Sequence, residues 1–345
     1  MGDNWLEEFE LYNDFCDSNE FELELIARSM EKAKRVTVLT GAGISVTSGI
    51  PDFRSSNGLW KKYDPSIYGT YSNFKQAPEK FWEMIEELHS IEAKPNPVHK
   101  TLADLETAGV INTIVTQNVD GLHQEAGSKN VLEMHGTGRT CYCIECNYIT
   151  ESDEGIWRTT DCPSKNIPHC PFCGGLMKLD VVLFGEKLNR EIYDKIVDAT
   201  TNVDFLLVIG TSLQVAPCNV IPFRAKHNGA QVVFINSHKT QMDQFADFCL
   251  RGDLNEIVPK LGQKILEIKQ RRNTMLRRAV MFSYSLAVYM LSIVVSFCQR
   301  IWRREKNILE LIDFENKRSE TPMVIEEFDH SLRRHSVPLD DEVDL

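Results

Sequence analysis

Cationic charge is in short supply in this chain. Its 38 Lys and Arg stand against 50 Asp and Glu, giving a net charge of −12 and a pI near 5.3. That balance excludes a protein held to nucleic acid by bulk phosphate contacts, so no sequence-specific nucleic-acid partner is expected. No basic-then-apolar leader opens the sequence, so neither a secretory signal nor an Arg-rich transit peptide is expected. Gly2 follows Met1, but Leu6 stands where N-myristoylation prefers Ser or Thr. Internal repeats are missing as well. With 42% hydrophobic and 26% charged residues, the composition has no bias that would let disorder dominate, and 345 residues can hold one large domain plus a small one.

A further absence concerns glycine. The apolar run Val36–Thr40 leads into Gly41-Ala-Gly-Ile-Ser-Val46, and a dinucleotide fingerprint G-x-G-x-x-G would need glycine where Val46 stands. No acidic residue follows at the place where such folds hold a ribose. What remains is a strand that ends in a tight turn, followed by Ile50, Pro51, Asp52, Phe53 and Arg54. Glycines there let the backbone approach an anion, with N–H groups of a helix start to receive it. A glycine-rich turn in any α/β protein reads the same way.

Three more apolar runs follow: Val110–Thr116, Phe205–Ile209 and Gln231–Ile235. Each carries small or polar residues just past its C-terminal end: Gln117 to His123, then Gly210, Thr211 and Ser212, then Asn236. Helical spacing precedes or separates them, over 21–34, from Pro78 to about Ser90, from Pro97 to Gly109 and over 255–270. The expected fold class is α/β, a Rossmann-like parallel sheet with helices on both faces and a ligand crevice at the carboxyl ends of the strands. Residues 55–77 show few regular signals and read as an irregular loop covering a cofactor.

Ten cysteines without a leader suggest a reducing compartment and metal ligation instead of disulfides. Cys143-x2-Cys146 and Cys170-x2-Cys173 can each chelate one ion from a tight turn, and four thiolates complete a closed tetrahedral zinc site. With no open position, that zinc would be structural. Cys141 and Cys162 form no such pair and are spares. The insertion, about 139–180, is read as a small zinc-ribbon lobe. Before it, His135 follows a short strand-like segment, Val131–Met134. Taken alone, Asp120 suits capping a helix as well as holding a ligand.

Together these residues resemble the sirtuin family of NAD-dependent protein lysine deacylases, over about 22–268. The resemblance rests on Gly41-Ala-Gly-Ile-Ser45, Gly49-Ile-Pro-Asp-Phe-Arg54, Thr116-Gln-Asn-Val-Asp-Gly-Leu-His123, His135-Gly136, the cysteine pairs, Val181-Val-Leu-Phe-Gly-Glu186 and Gly210-Thr-Ser-Leu213. It implies that NAD lies across the crevice as a co-substrate, with Gly41, Ala42, Gly43 and Ser45 at its phosphates. Ile50, Asp52, Phe53 and Arg54 would cover the nicotinamide ribose. Asn118 and Asp120, with Val119, would hold the carboxamide, and Gln117 would face the ribose. Gly210, Thr211, Ser212, Asn236 and Leu254 would receive the adenosine end. Catalysis is implied for Asn118, Asp120 and His135, with His135 as the general base and His123 in a structural place. Val182, Phe184 and Gly185 would form one wall of a groove for the acetylated lysine of a protein substrate, with Gln214 and Val215 opposite. The products would be nicotinamide, free lysine and 2′-O-acetyl-ADP-ribose. Other readings are a mono-ADP-ribosyltransferase or a non-catalytic NAD-binding membrane scaffold. Family members that remove acidic acyl groups carry Tyr-x-x-Arg where Trp82 and Ile85 stand, so acetyl is the expected acyl group.

The resulting layout is an acidic tail (1–21), a catalytic domain (22–270), a basic-flanked apolar segment (271–306) and a polar tail (307–345). Residues 279–298 are 20 in a row without a charge, flanked by Arg271, Arg272, Arg277 and Arg278 and by Arg300, Arg303, Arg304 and Lys306. That length suffices to span a hydrocarbon core, and a buried or partner-binding helix is the other reading. Basic clusters on both sides give no orientation. A location facing the cytosol, membrane-anchored or otherwise cytoplasmic or nuclear, is expected. Arg333-Arg-His-Ser336-Val-Pro338 resembles a kinase site whose phosphorylated Ser336 would meet a phosphoserine reader.

Overall fold

The sheet is built around Val36–Thr40 (β1), all five residues of which are buried. A strand covered on both faces reads as a nearly continuous apolar run, and the two threonines of this one are paired: Thr37 Oγ1 donates to the Ala199 carbonyl at 2.7 Å and Thr40 Oγ1 meets His123 Nε2 at 2.9 Å. Its parallel neighbours are Thr113–Thr116 (β2) and, on the other side, Phe205–Ile209 (β7). Val131–Glu133 (β3) extends one edge, and Gln231–Asn236 (β8) then Phe248–Arg251 (β9) extend the other, in the order β3-β2-β1-β7-β8-β9. This computed structural model describes residues 18–152 and 167–319. Residues 1–17 of the acidic tail, the spare Cys162 and the Ser336 motif lie outside them.

The structure bears out the α/β architecture. On one face, Ile26 and Met30 of helix Ser18–Lys32, Leu102 and Leu105 of helix Pro97–Thr107, and Val258, Leu261 and Ile265 pack on Val38, Leu207 and Ile235. On the other, Ile196 of helix Arg190–Thr201 and Ile221 and Ala225 of helix Ile221–His227 pack on Leu39, Val208 and Phe234. Because the strand side chains alternate between these layers, one run of five buried residues feeds two cores.

A third cluster forms the second lobe. Gly136–Cys143 (β4) pairs antiparallel with Ile149–Glu151 (β5) and Met177–Val181 (β6). Cys141, Met177, Leu179 and Leu183 of this ribbon pack with Leu59, Tyr63, Phe74, Phe81 and Trp82. The segment read as an irregular loop, 55–77, is therefore largely helical. It forms three short helices, Leu59–Lys62, Pro65–Tyr68 and Tyr71–Gln76, followed by the helix Pro78–His89. The signals that could have shown this are local. Asp64 accepts from the Ser66 N–H with Pro65 at the first helical position, and Thr70 accepts from the Asn73 N–H. Helices of four to six residues leave no periodicity to read.

The chain divides into two compact units, Met1–Asn273 and Thr274–Leu345. The helix expected to end near 270 is assigned over Leu254–Ser319, so its last part belongs to the second unit. Residues 307–319, read as the start of a polar tail, continue that helix with an i,i+4 pair between Lys306 and Glu310. Among the described residues, this is the one helix long and apolar enough to cross a membrane, with a mean hydropathy of 1.9 in its most apolar window.

Candidate active site

The carboxyl ends of β1, β2, β7 and β8 open into a cavity of about 720 Å³, shared with the second lobe. Two turns cross at its floor. The Gly43 N–H donates to the Gly210 carbonyl at 2.8 Å, and the Gly41 N–H donates to the Ile209 carbonyl at 3.2 Å. A Cβ on Gly43 would lie 2.7 Å from the Gly210 oxygen, and one on Gly41 would lie 2.6 Å from the Thr211 Cβ. Gly210 has φ +62°, where side chains are disfavoured, and a Cβ there would lie 2.7 Å from the Ile44 nitrogen. These glycines are thus fixed by two backbones in contact, in addition to any anion above them. Gly43→Ala should cost about 1–3 kcal/mol of stability. Urea denaturation of the variant beside the unaltered chain checks this.

The anion-receiving helix expected after the turn is replaced by two three-residue 3₁₀ turns, Ala42–Ile44 and Val46–Ser48. Asn96 holds them. Buried itself, it donates its amide to the Ile44 carbonyl at 2.6 Å and to the Thr47 and Ser48 hydroxyls at 3.0 Å, while its oxygen caps helix Pro97–Thr107. Sequence reading missed Asn96, and the Asn-Pro pair at a helix start was the available signal.

Beyond β2, three polar side chains converge. Ser45 Oγ donates to Asp120 Oδ2 at 2.7 Å. The Asn118 amide reaches the Gly41 carbonyl at 3.2 Å and Ser45 Oγ at 3.1 Å. Asp120 Oδ1 also accepts the Leu122 N–H at 3.0 Å at the start of helix Leu122–Glu125, so each carboxylate oxygen has a partner within the protein. Gln117 donates to Thr211 Oγ1 at 2.8 Å, which bridges the β2 and β7 ends. Asn236 at the end of β8 exchanges two hydrogen bonds with the Thr211 backbone, at 3.0 and 3.1 Å.

His135 stands between β3 and β4, and its Nδ1 lies 3.0 Å from the Gln117 carbonyl. A carbonyl only accepts, so Nδ1 carries the proton and Nε2 is the basic nitrogen. Burial lowers its pKa, partly offset by that hydrogen bond, which keeps the ring neutral and able to take a proton. His123 has other partners and is more deeply buried. It is buried, holds Thr40 Oγ1 at 2.9 Å and lies edge-on to His99 with ring centres 5.1 Å apart. Burial, with a smaller contribution from His99, pushes its pKa down to about 3. An unfolded histidine takes its proton near the ordinary value of about 6.5, so the folded state binds fewer protons between there and about 3. Stability should therefore fall as the pH drops through that window, by up to about 1.4 kcal/mol per pH unit from this group. Urea midpoints at pH 7 and pH 5 test this, and a His123→Gln variant should show a shallower fall.

Ala42, Ser45, Ile50, Asp52, Phe53 and Arg54 line the cavity on one side, and Asn118, Val119, Asp120 and His135 line it on another. Ser212, Leu254, Val182, Phe184, Gly185 and Val215 also line it, whereas Gly41 lies beneath it and Gln214 is exposed outside it. Ile85 lines the cavity and Trp82 is buried against Phe81, so neither brings a cation to it. Ser237, His238, Lys239 and Thr240, beyond β8, also line it and were missed, because nothing in their sequence spacing marks them.

In the ribbon, the sulfurs of Cys143, Cys146, Cys170 and Cys173 all lie within 4.8 Å of one another, with Cys143–Cys173 at 3.4 Å and Cys146–Cys170 at 3.6 Å. Zinc–sulfur bonds of about 2.3 Å in a tetrahedron put the sulfurs roughly 3.8 Å apart, so this cluster fits zinc. Cys141 is buried in the adjoining core and lies outside the cluster.

The model of the Sir2 family matches residues 41–217. The NAD-dependent protein deacylase of Pyrococcus furiosus is 41% identical over 252 residues, spanning 71% of this chain and 98% of that protein. A solved complex of a Sir2 homologue with NAD superposes with a TM-score of 0.65 at 34% identity, covering 71% of this chain and 94% of that one. A Sir2 structure with a deacetylated p53 peptide and 3′-O-acetyl ADP-ribose gives 0.65 at 32% identity, covering 71% and 97%.

Proposed function

The chain belongs to the Sir2 family, and from that premise we propose how its own residues carry the family's reaction. It is an NAD-dependent protein lysine deacetylase that uses a structural zinc ion and consumes NAD+ as a second substrate. Nicotinamide is released and the acetyl group passes from lysine to ADP-ribose. In our reading, Ala42 and Gly43 bind the phosphates, and Gly210, Thr211, Ser212, Asn236 and Leu254 receive the adenosine end. Asn118 and Asp120, cross-braced by Ser45, hold the carboxamide so that the leaving group is oriented. Phe53 and Arg54 close over the ribose, and Val119 and Gln117 position it from below. His135 Nε2 takes the proton from the ribose hydroxyl that attacks the acyl carbon. Val182, Phe184 and Gly185 line one side of the peptide groove, with Val215 and Gln214 across from them.

The observation that carries this reading is the pairing of a neutral, Nδ1-tethered His135 with the Ser45–Asn118–Asp120 cluster in one cavity. The test incubates the full chain with NAD+ and an acetyl-lysine peptide. Nicotinamide and deacetylated peptide in equal amounts support it. Label transferred from NAD+ to protein would favour ADP-ribosylation, and succinyl-lysine cleaved faster than acetyl-lysine would overturn the acyl preference.

We further propose that residues 279–298 insert in a membrane and that the catalytic part, 22–270, works on the reducing, NAD-containing cytosolic side. The support is a charge-free run whose side chains are exposed, such as Phe282 at 72% and Leu291 at 64%, since unpartnered apolar surface of this extent requires a cover. The protein is expected to stay in membrane pellets through carbonate and high-salt washes and to leave only with detergent. Release by carbonate would overturn the spanning reading.

A further inference from the structure

Lys178 is fully buried, with a relative exposure of 0%, in the middle of the β6 strand of the ribbon. A buried ammonium is costly unless each of its protons is taken. Here they are. Nζ donates to the Leu179 carbonyl at 3.0 Å and the Val181 carbonyl at 2.5 Å, and it pairs with Glu186 Oε2 at 3.2 Å. The Tyr142 ring lies beneath it, with Nζ 5.0 Å from the ring centre.

Glu186 answers with both oxygens. Oε1 accepts the Tyr142 hydroxyl at 2.8 Å, and Oε2 accepts the Leu183 N–H at 3.0 Å as well as Lys178. The Glu186 N–H returns to the Leu183 carbonyl at 3.0 Å, so residues 183–186 close on themselves around the carboxylate. At the other end, the Val182 N–H donates to the His135 carbonyl at 2.8 Å. Phe184 pairs with the short-helix segment of the same lobe, its N–H to the Gly69 carbonyl at 2.9 Å and its carbonyl to the Tyr71 N–H at 3.0 Å. The loop that carries Val182, Phe184 and Gly185 is thus tethered to His135, to residues 69–71 and, by one ion pair, to the ribbon.

We propose that the Lys178–Glu186 pair is a positioning device that holds the 182–186 wall of the peptide groove in its binding shape and in register with His135. This rests on the reading of that loop as the groove wall. Neither residue needs to touch the reacting atoms. The Glu186 carboxylate takes the Leu183 N–H in place of a backbone acceptor, which ties the loop to the ion pair. The NAD-facing residues stand on the ends of β1, β2, β7 and β8, whose hydrogen bonds do not pass through this pair.

The test compares full-length wild type with Lys178→Met, Lys178→Arg and Glu186→Gln, measuring KM for acetylated peptide and for NAD+, kcat and thermal midpoint. Lys178→Met and Glu186→Gln should raise the peptide KM by about tenfold or more and leave the NAD+ KM within about twofold. Lys178→Arg, which keeps the charge, should recover most of the peptide affinity. If Lys178→Met does not fold, Glu186→Gln, nearly isosteric, decides the matter alone. An unchanged peptide KM in a folded Glu186→Gln enzyme overturns the proposal. So does an equal rise in both KM values, which would mark general loosening. If wild type itself fails to deacetylate the peptide, the functional reading fails first; if wild type works and the variants match it, only this proposal falls.

Discussion

Replacing His135 by alanine is expected to lower deacetylation by about 10²–10⁴-fold, the usual contribution of a positioned general base. NAD+ affinity should barely change. The ring touches the Gln117 carbonyl, and the Asn118–Ser45–Asp120 and Gln117–Thr211 contacts do not depend on it. The measurement is kcat for peptide deacetylation beside an equilibrium NAD+ titration on the same variant. Two features of the geometry sharpen the expectation. Nδ1 is occupied, so only Nε2 can act, and burial lowers the ring's pKa below its ordinary value. The acid limb of the wild-type rate profile should therefore fall below the pH where a free histidine titrates. A profile with its limb above that point would mean that another group is the base.

Loss of the zinc is the second large effect. Cys170→Ser leaves three thiolates in a site of four converging sulfurs. Structural zinc sites carry apparent binding free energies of roughly 10–16 kcal/mol in isolated fingers, so the ribbon's fold depends on the ion. The consequence reaches the chemistry through continuous backbone. Cys143 ends the β4 strand that starts beside His135, and Met177–Val181 runs directly into the groove wall. We expect Cys170→Ser to lose bound zinc by elemental analysis, to become protease-sensitive within 136–186, and to lose peptide deacetylation almost completely. NAD+ binding, seated on the parallel sheet, should survive in part. A zinc-free variant with full activity would refute the structural role of the ion.

Some of this was legible from the residues. Largely apolar runs ending in Gly, Ser or Asn identify buried parallel strands and place a crevice at their ends, because a strand covered on both faces leaves few positions for polar side chains. Four cysteines in two Cys-x2-Cys pairs identify a metal site by chemistry alone. The motif order carried the family. Other parts were not legible. Asn96 and Lys178 look like ordinary surface residues in the sequence and are buried, each satisfied by partners far away along the chain or on the next loop. The helices within 59–76 are too short for periodicity. The second lobe joins residues 59–89 to 136–183, a contact that no local pattern records.

Returned to the turn after β1, the division becomes concrete. The sequence by itself determined that a strand ends there in a glycine turn, since apolar runs and missing side chains are local properties. Only the tertiary structure decided why those glycines are glycines. Gly41 and Gly43 face Gly210 and Thr211, nearly 170 residues further on, with backbone against backbone. The same crossing brings Asn118 onto Ser45 and Gln117 onto Thr211, and those contacts make a cavity out of four strand ends. Steric exclusion between distant segments is a property of the packed chain, and no single stretch of it can state which partner it will meet.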